Sequence, residues 1–200
     1  MSYQKRYARM AEAYDLLEIS LDRFFQPLRR RALSFAEGKV LEIGVGTGKT
    51  LEFYPKGIDL YAIDGTEEIL KIAGRRAERL NMDIKLYQME AKDLRFPSES
   101  FDTVVSSFVF CTIPNPVKAM AEIRRILKPD GKAIFLEHTK SDSRFLNWFF
   151  LKPAKLILWP LIRDDTLRDT HELAKDFFEV ELEENYYGGI VRLIIARKLT

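Results

Sequence analysis

Three glycines at alternate positions, Gly44, Gly46 and Gly48, lie between two carboxylates in the segments VLEIGVGTGKT and LYAID. Glu42 precedes the first glycine, and Asp64 ends the apolar run that follows. A loop turning on glycines brings backbone N–H groups against a ligand, because no side chain stands in the way. A carboxylate at the tip of the next strand is placed to accept from the hydroxyls of a ribose. The ending Gly48-Lys49-Thr50 resembles that of a triphosphate loop, but such a loop needs a glycine where Ile43 stands. A β-branched residue there suits a strand end instead. Lys49 and Thr50 then read as opening a helix after the loop, with no ligand role. The dinucleotide spacing fails too, since its third glycine falls on Lys49. Glu42 would repel a pyrophosphate but suits a cation. Together these residues ask for a ribose, a close backbone approach and a positive charge, without phosphates.

The elements that must position them alternate strand and helix, which implies a mostly parallel sheet. The spacing predicts strands over 39–43, 60–64, 85–89, 103–106 and 132–137, with helices over 66–80 and 116–127 and a turn at 127–131. A further helix is expected over 165–175. Strands over 178–186 and 191–196, joined through Gly188-Gly189, read as a hairpin on one sheet edge. Two hundred residues suit one domain, taken as 1–200, with a helical cap over 1–35 and an apolar insertion over 141–165. That insertion holds FLNWFFLKPAKLILWPLI, where Lys152, Pro153, Lys155 and Pro160 break the run short of a membrane span.

A net charge of +2 demands no nucleic-acid partner, and no metal site is expected. The single cysteine, Cys111, excludes an intramolecular disulfide and fits a reducing cytoplasm. The leading residues MSYQKRYARMAEAYDLLE carry charges throughout and do not read as a signal peptide.

VLEIGVGTG followed by AID resembles the first two motifs of class I S-adenosylmethionine-dependent methyltransferases. MEAKDLRFPSESFDTVVSS and EIRRILKPDGKAIFLEH are similar to two later motifs of that family, in the same order. The resemblance implies a Rossmann-like, doubly wound α/β fold with a mostly parallel seven-stranded sheet and a C-terminal antiparallel hairpin. It also implies S-adenosyl-L-methionine, whose ribose, sulfonium and ammonium meet the demands above. Carried over, Gly44, Gly46 and Gly48 line the methionine part with Glu42 beneath it. Asp64 holds the ribose hydroxyls, flanked by Gly65 and Thr66. Glu90 takes the adenine side with the Ala91 backbone N–H, and Ser106 and Ser107 stand near the methyl. Tyr14 is similar to a tyrosine that relatives place over the cofactor. His138 follows strand five on the acceptor side and is the one placed candidate for a general base. Two departures stand out: Glu90 replaces an Asp, and Asp130 replaces a turn glycine.

In its outer parts the chain resembles soluble bacterial phospholipid N-methyltransferases, membrane-associated thiol methyltransferases and UbiE-type quinone methyltransferases. The expected acceptor is accordingly small or lipidic and apolar. The basic leading segment can make peripheral contact with an anionic membrane, such as the inner membrane surface of a cell. The alternative is a catalytically silent cofactor-, membrane- or partner-binding module on the same fold.

Overall fold

The central strands of the sheet are short apolar runs that stop where glycine or a polar residue takes over, and they are buried on both faces as a parallel sheet requires. The computed structural model describes residues 24–139, 141, 143, 148 and 169–198. Helix α1 spans 24–33. It is followed by β1 (Lys39–Ile43), β2 (Asp59–Asp64), α2 (Glu67–Arg79), β3 (Ile84–Gln88), β4 (Phe101–Ser107), α3 (Pro116–Ile126), β5 (Leu127–His138), α4 (Thr170–Lys175), β6 (Phe178–Tyr186) and β7 (Val191–Lys198).

The described strands form one sheet in the order β3-β2-β1-β4-β5-β7-β6. β1 pairs in parallel with β2 and β4, and β4 with β5, so the order reverses beside β1. β7 runs antiparallel between β5 and β6. The structure is therefore a Rossmann-like α/β fold with a C-terminal antiparallel hairpin, as expected. In such sheets ligands bind beyond the carboxyl ends of the strands at the reversal point.

Alternation along the strands divides the core between the two sheet faces. Val40, Ala62, Val105 and Ile134 pack with Leu28, Leu33, Leu70 and Ala73 of α1 and α2. Leu41, Ile63, Val104 and Phe135 pack with Met120, Ile123 and Ala174 of α3 and α4. α2 buries Ile69, Leu70, Ala73 and Ala77, a one-face helical spacing. Asn115 caps α3 by accepting from the Lys118 amide at 3.1 Å, and Pro116 opens it where no N–H is needed.

Two details differ from the sequence reading. The helix expected to follow the glycine loop is only a 3₁₀ turn, Leu51–Phe53, because Pro55 prevents its continuation. The turn expected at 127–131 is a bulge inside β5: Phe101 pairs with Leu127 and Thr103 with Lys132. Asp130 there has φ +61°, the left-handed conformation that glycine would adopt more easily. Tyr14, most of the 1–35 cap, most of the 141–165 insertion and the first residues of the 165–175 helix lie outside the described residues.

Candidate active site

At the carboxyl ends of β1, β2 and β4 lies a cavity of about 320 Å³. Gly44, Asp64, Gly65, Thr66, Glu90 and Ala91 line it on one side, and Phe108, Val109, Thr112, Ile113 and Pro114 on the other. Six of the residues singled out in the sequence thus come together around one space. Glu42, Gly46, Gly48, Ser106 and His138 are not part of its wall.

The backbone fixes Asp64 in orientation. The Gly46 amide donates to Oδ2 at 3.2 Å, and the Thr66 amide donates to Oδ1 at 3.0 Å. Burial pushes the Asp64 carboxyl from 3.8 up to about 6, with the amides of Thr66, Gly46 and Gly65 opposing and the Glu90 charge adding to it. Glu90 and Ala91 sit in the β3–β4 connection, which Arg125 of α3 holds by donating to the carbonyls of Leu94 (2.7 Å) and Phe96 (2.8 Å).

Two glycines have different reasons to lack a side chain. Gly44 has φ +67°, and a Cβ there would meet Cγ1 of Val109 at 2.5 Å. Its absence lets the loop after β4 close against the end of β1. Gly48 has φ +80°, and a Cβ would meet Leu51 at 2.8 Å and the Ala73 backbone at 3.4 Å. Gly48 lets the loop pack on α2, and the sequence reading, which put it beside a ligand, missed this.

Glu42 lies on the α1 side of the sheet and is buried. Thr50 Oγ1 donates to its Oε1 at 2.7 Å, and the Tyr54 hydroxyl donates to Oε2 at 3.1 Å. Burial raises its carboxyl from 4.5 to about 7, against the opposing pull of these two donors and of the Arg29 charge. Thr50, given no role in the sequence reading, is a direct partner of Glu42. Arg29 was missed as well. It falls on the buried stripe Leu28, Arg29, Ala32 and Leu33 of α1. A charged residue at a core position of a helix was the available signal. Its guanidinium carbon lies 5.7 Å from the centre of the Phe108 ring.

His138 ends β5 among aromatic rings, 4.6 Å from Phe108 and 5.9 Å from Phe25 between ring centres. Burial lowers its pKa from 6.5 to about 4, the Arg29 charge adds to this, and a hydrogen bond with the Ile190 backbone opposes it. The imidazole is neutral at physiological pH and a weak base, which counts against the general-base role read from the sequence. Ser106 is fully buried and donates to Glu137 Oε1 at 2.6 Å, so its hydroxyl serves a neighbouring strand rather than the cavity.

The donor set suits a nucleoside cofactor. A prefixed carboxylate faces the cavity at the end of β2, a second acid and a backbone amide follow β3, and a glycine without room for a Cβ closes the end of β1. A sheet reversing beside β1 with this apparatus at its carboxyl edge defines a nucleoside-binding Rossmann-like enzyme. Residues 41–135 match the family model described as "Methyltransferase domain". A phosphatidylethanolamine N-methyltransferase of Cereibacter sphaeroides is 31% identical over 141 residues, covering 68% of this chain and 70% of that protein. A ubiquinone/menaquinone biosynthesis C-methyltransferase of Rickettsia bellii is 27% identical over 225 residues, covering 96% and 91%. The solved structure of a SAM-dependent methyltransferase of Thermotoga maritima superposes with a TM-score of 0.74 at 21% identity, over 99% of this chain and all of that one. The chain belongs to the S-adenosylmethionine-dependent methyltransferase family.

Proposed function

We propose that the chain transfers a methyl group to a small or lipidic apolar acceptor that approaches across Phe108 and His138. The observation that carries this reading is the aromatic corner of Phe25, Phe108 and His138, which adjoins the cavity through Phe108. Its imidazole is held neutral, and such a surface favours uncharged, apolar partners. The phospholipid and quinone for which the two relatives are named agree with it, as does the sequence resemblance to thiol methyltransferases.

When bound, S-adenosylmethionine supplies a methyl on a sulfonium, already a good leaving group. The work left to the protein is alignment and exclusion of water. In this reading Asp64 accepts from the ribose hydroxyls with both oxygens already aimed, and Gly65 and Thr66 flank it. Glu90 and the Ala91 N–H take the adenine edge. Gly44 and Gly46 give the backbone approach, with Glu42 supplying negative charge on the cationic side. Tyr14 is proposed to cover the cofactor. His138 shapes the acceptor side without taking its proton, which suits an acceptor that attacks through a free lone pair, such as an uncharged amine, and needs no base.

The test is release of S-adenosylhomocysteine across phosphatidylethanolamine, demethylated quinones, alkyl thiols and small hydrophilic amines. Turnover that rises with acceptor apolarity supports the reading. Turnover confined to hydrophilic amines, or cofactor binding with no turnover on any of these, overturns it.

Peripheral contact with an anionic membrane belongs to the same proposal, motivated by the cluster Lys5, Arg6 and Arg9, which lies ahead of the acids Glu12, Asp15, Glu18 and Asp22 in the leading segment. No described helix is long and apolar enough to cross a membrane. Phosphatidylglycerol vesicles should co-sediment the full chain and release one that starts at Phe24. Cutting there spares Leu28 and Arg29, which are buried in the core. Equal sedimentation of the two proteins would remove the contact.

A further inference from the structure

We propose that Glu137 is the positioning residue of the cofactor cavity, fixing the turn after β4 so that Val109 seats against Gly44. The inference rests on the cofactor reading above and concerns Glu137 and Val109, to which that reading gives no role.

Glu137 stands one residue before the end of β5 and is fully buried. Its Oε1 accepts from Ser106 Oγ at 2.6 Å. Its Oε2 accepts from two consecutive backbone amides, Val109 at 2.9 Å and Phe110 at 3.1 Å. One carboxylate therefore ties β4, β5 and the loop after β4 together. Two amides converging on one oxygen take up both of its lone pairs, so the side chain must bring an oxygen to that point. Arg192 lies directly opposite Glu137 in the β5–β7 pairing, on the same face, and its Nη1 donates to Glu183 Oε1 at 2.8 Å.

The loop needs such a tie. Phe108, which opens it, has φ +58°, a conformation that a phenylalanine does not adopt unless its surroundings impose it. The Phe108 amide donates to the Leu136 carbonyl at 2.8 Å, and the next two amides go to Glu137. These three bonds set where Val109 lies, and its methyl groups occupy the space beside the missing Cβ of Gly44. Val109 also lines the cavity, as do Phe108, Thr112 and Ile113. Glu137 itself does not touch the cavity, so it acts through the loop.

A carboxylate that merely fastened β4 to β5 would act through Ser106, whereas a positioning carboxylate acts through the Val109 and Phe110 amides. S-adenosylhomocysteine affinity by calorimetry and residue-resolved amide exchange separate the two. In the unaltered chain the Val109 and Phe110 amides should exchange as slowly as those of β5. Glu137→Ala should weaken S-adenosylhomocysteine binding at least about tenfold and speed exchange at those two amides about a hundredfold, leaving Leu41 and Ala62 protected. Glu137→Gln keeps an oxygen for the amides and should recover most of both losses. Ser106→Ala should lose less affinity than Glu137→Ala. The proposal is overturned if Ser106→Ala loses as much, or if Glu137→Ala binds like the unaltered chain. Should Glu137→Ala fail to fold, rapid exchange of the Val109 and Phe110 amides in the unaltered chain overturns it equally. No binding by the unaltered chain would instead refute the cofactor reading.

Discussion

Asp64→Asn should weaken cofactor binding and, above pH 6, make the protein more stable. The ribose assignment gives the carboxylate two hydroxyl donors, each charge-assisted bond contributing about 1.5–3 kcal/mol. Asparagine keeps one neutral acceptor, so a loss of about 2 kcal/mol is expected, roughly thirtyfold in affinity. Stability moves the other way. The Asp64 carboxyl lies at about 6 in the fold against its ordinary 3.8, so the folded chain holds a proton that the unfolded chain releases between those values. Stability therefore falls as pH rises through that window, by about 3 kcal/mol once both states are ionised. Asparagine removes this penalty but sets an NH₂ against the amide of Gly46 or Thr66, returning about 1–2 kcal/mol.

The net gain at pH 8 is about 1 kcal/mol, or about 2–4 °C in Tm for a chain of this size. At pH 4 the gain should vanish and reverse. The assays are calorimetry with S-adenosylhomocysteine and its 2′-deoxy analogue, and thermal melts at pH 8 and pH 4. The variant should discriminate less between the two ligands than the unaltered chain does. Unchanged affinity would falsify the ribose assignment. A lower Tm at pH 8 with the same pH slope would refute the account of the buried carboxylate.

Gly44→Ala should cost about 2–4 kcal/mol, combining a left-handed alanine with a Cβ driven into Val109. Adding Val109→Ala should return more than half of that in a urea double-mutant cycle, and simple additivity would sink the contact. Tyr54→Phe removes a donor to Glu42 Oε2, so the Glu42 carboxyl should titrate above about 7; an unmoved NMR titration would contradict the bond. Arg29→Met takes away a charge that favours ionised Glu42 and disfavours protonated His138, so both pKa values should rise. Movement in opposite directions would refute the placement of Arg29.

Much of the fold was legible because the central strands are apolar runs with definite ends. LYAID stops at Asp64, KVLEI stops before Gly44, and the Gly188-Gly189 pair turns β6 back into β7. The carboxylates and glycine at the strand tips were legible for the same reason, since a parallel sheet brings its carboxyl ends to one edge. What escaped was partnership across elements. The sequence gives Ser106 a place at the end of β4 but says nothing of Glu137 opposite it. It gives Arg29 a basic neighbourhood, RRR, which looks like surface until the buried spacing of Leu28, Ala32 and Leu33 is counted. It also makes three glycines look alike, whereas one admits Val109 and another admits α2.

The GKT ending of the glycine loop illustrates why type and spacing alone fall short. Failure of the triphosphate pattern at Ile43 makes Lys49 and Thr50 look idle. Yet the 3₁₀ turn that Pro55 cuts short brings Thr50 and Tyr54 under β1, where both donate to Glu42. Two neutral donors, with Arg29 nearby, hold the buried carboxyl near 7 rather than higher. An acid poised there is half-charged before any ligand arrives. A cationic ligand beside it would draw off the remaining proton, so binding at pH 7 should release a fraction of a proton and strengthen as pH rises toward 8. Calorimetry in buffers of different ionisation enthalpy measures that release directly. Affinity that stays flat from pH 6 to pH 8, with no proton released, would mean that Glu42 only braces the loop.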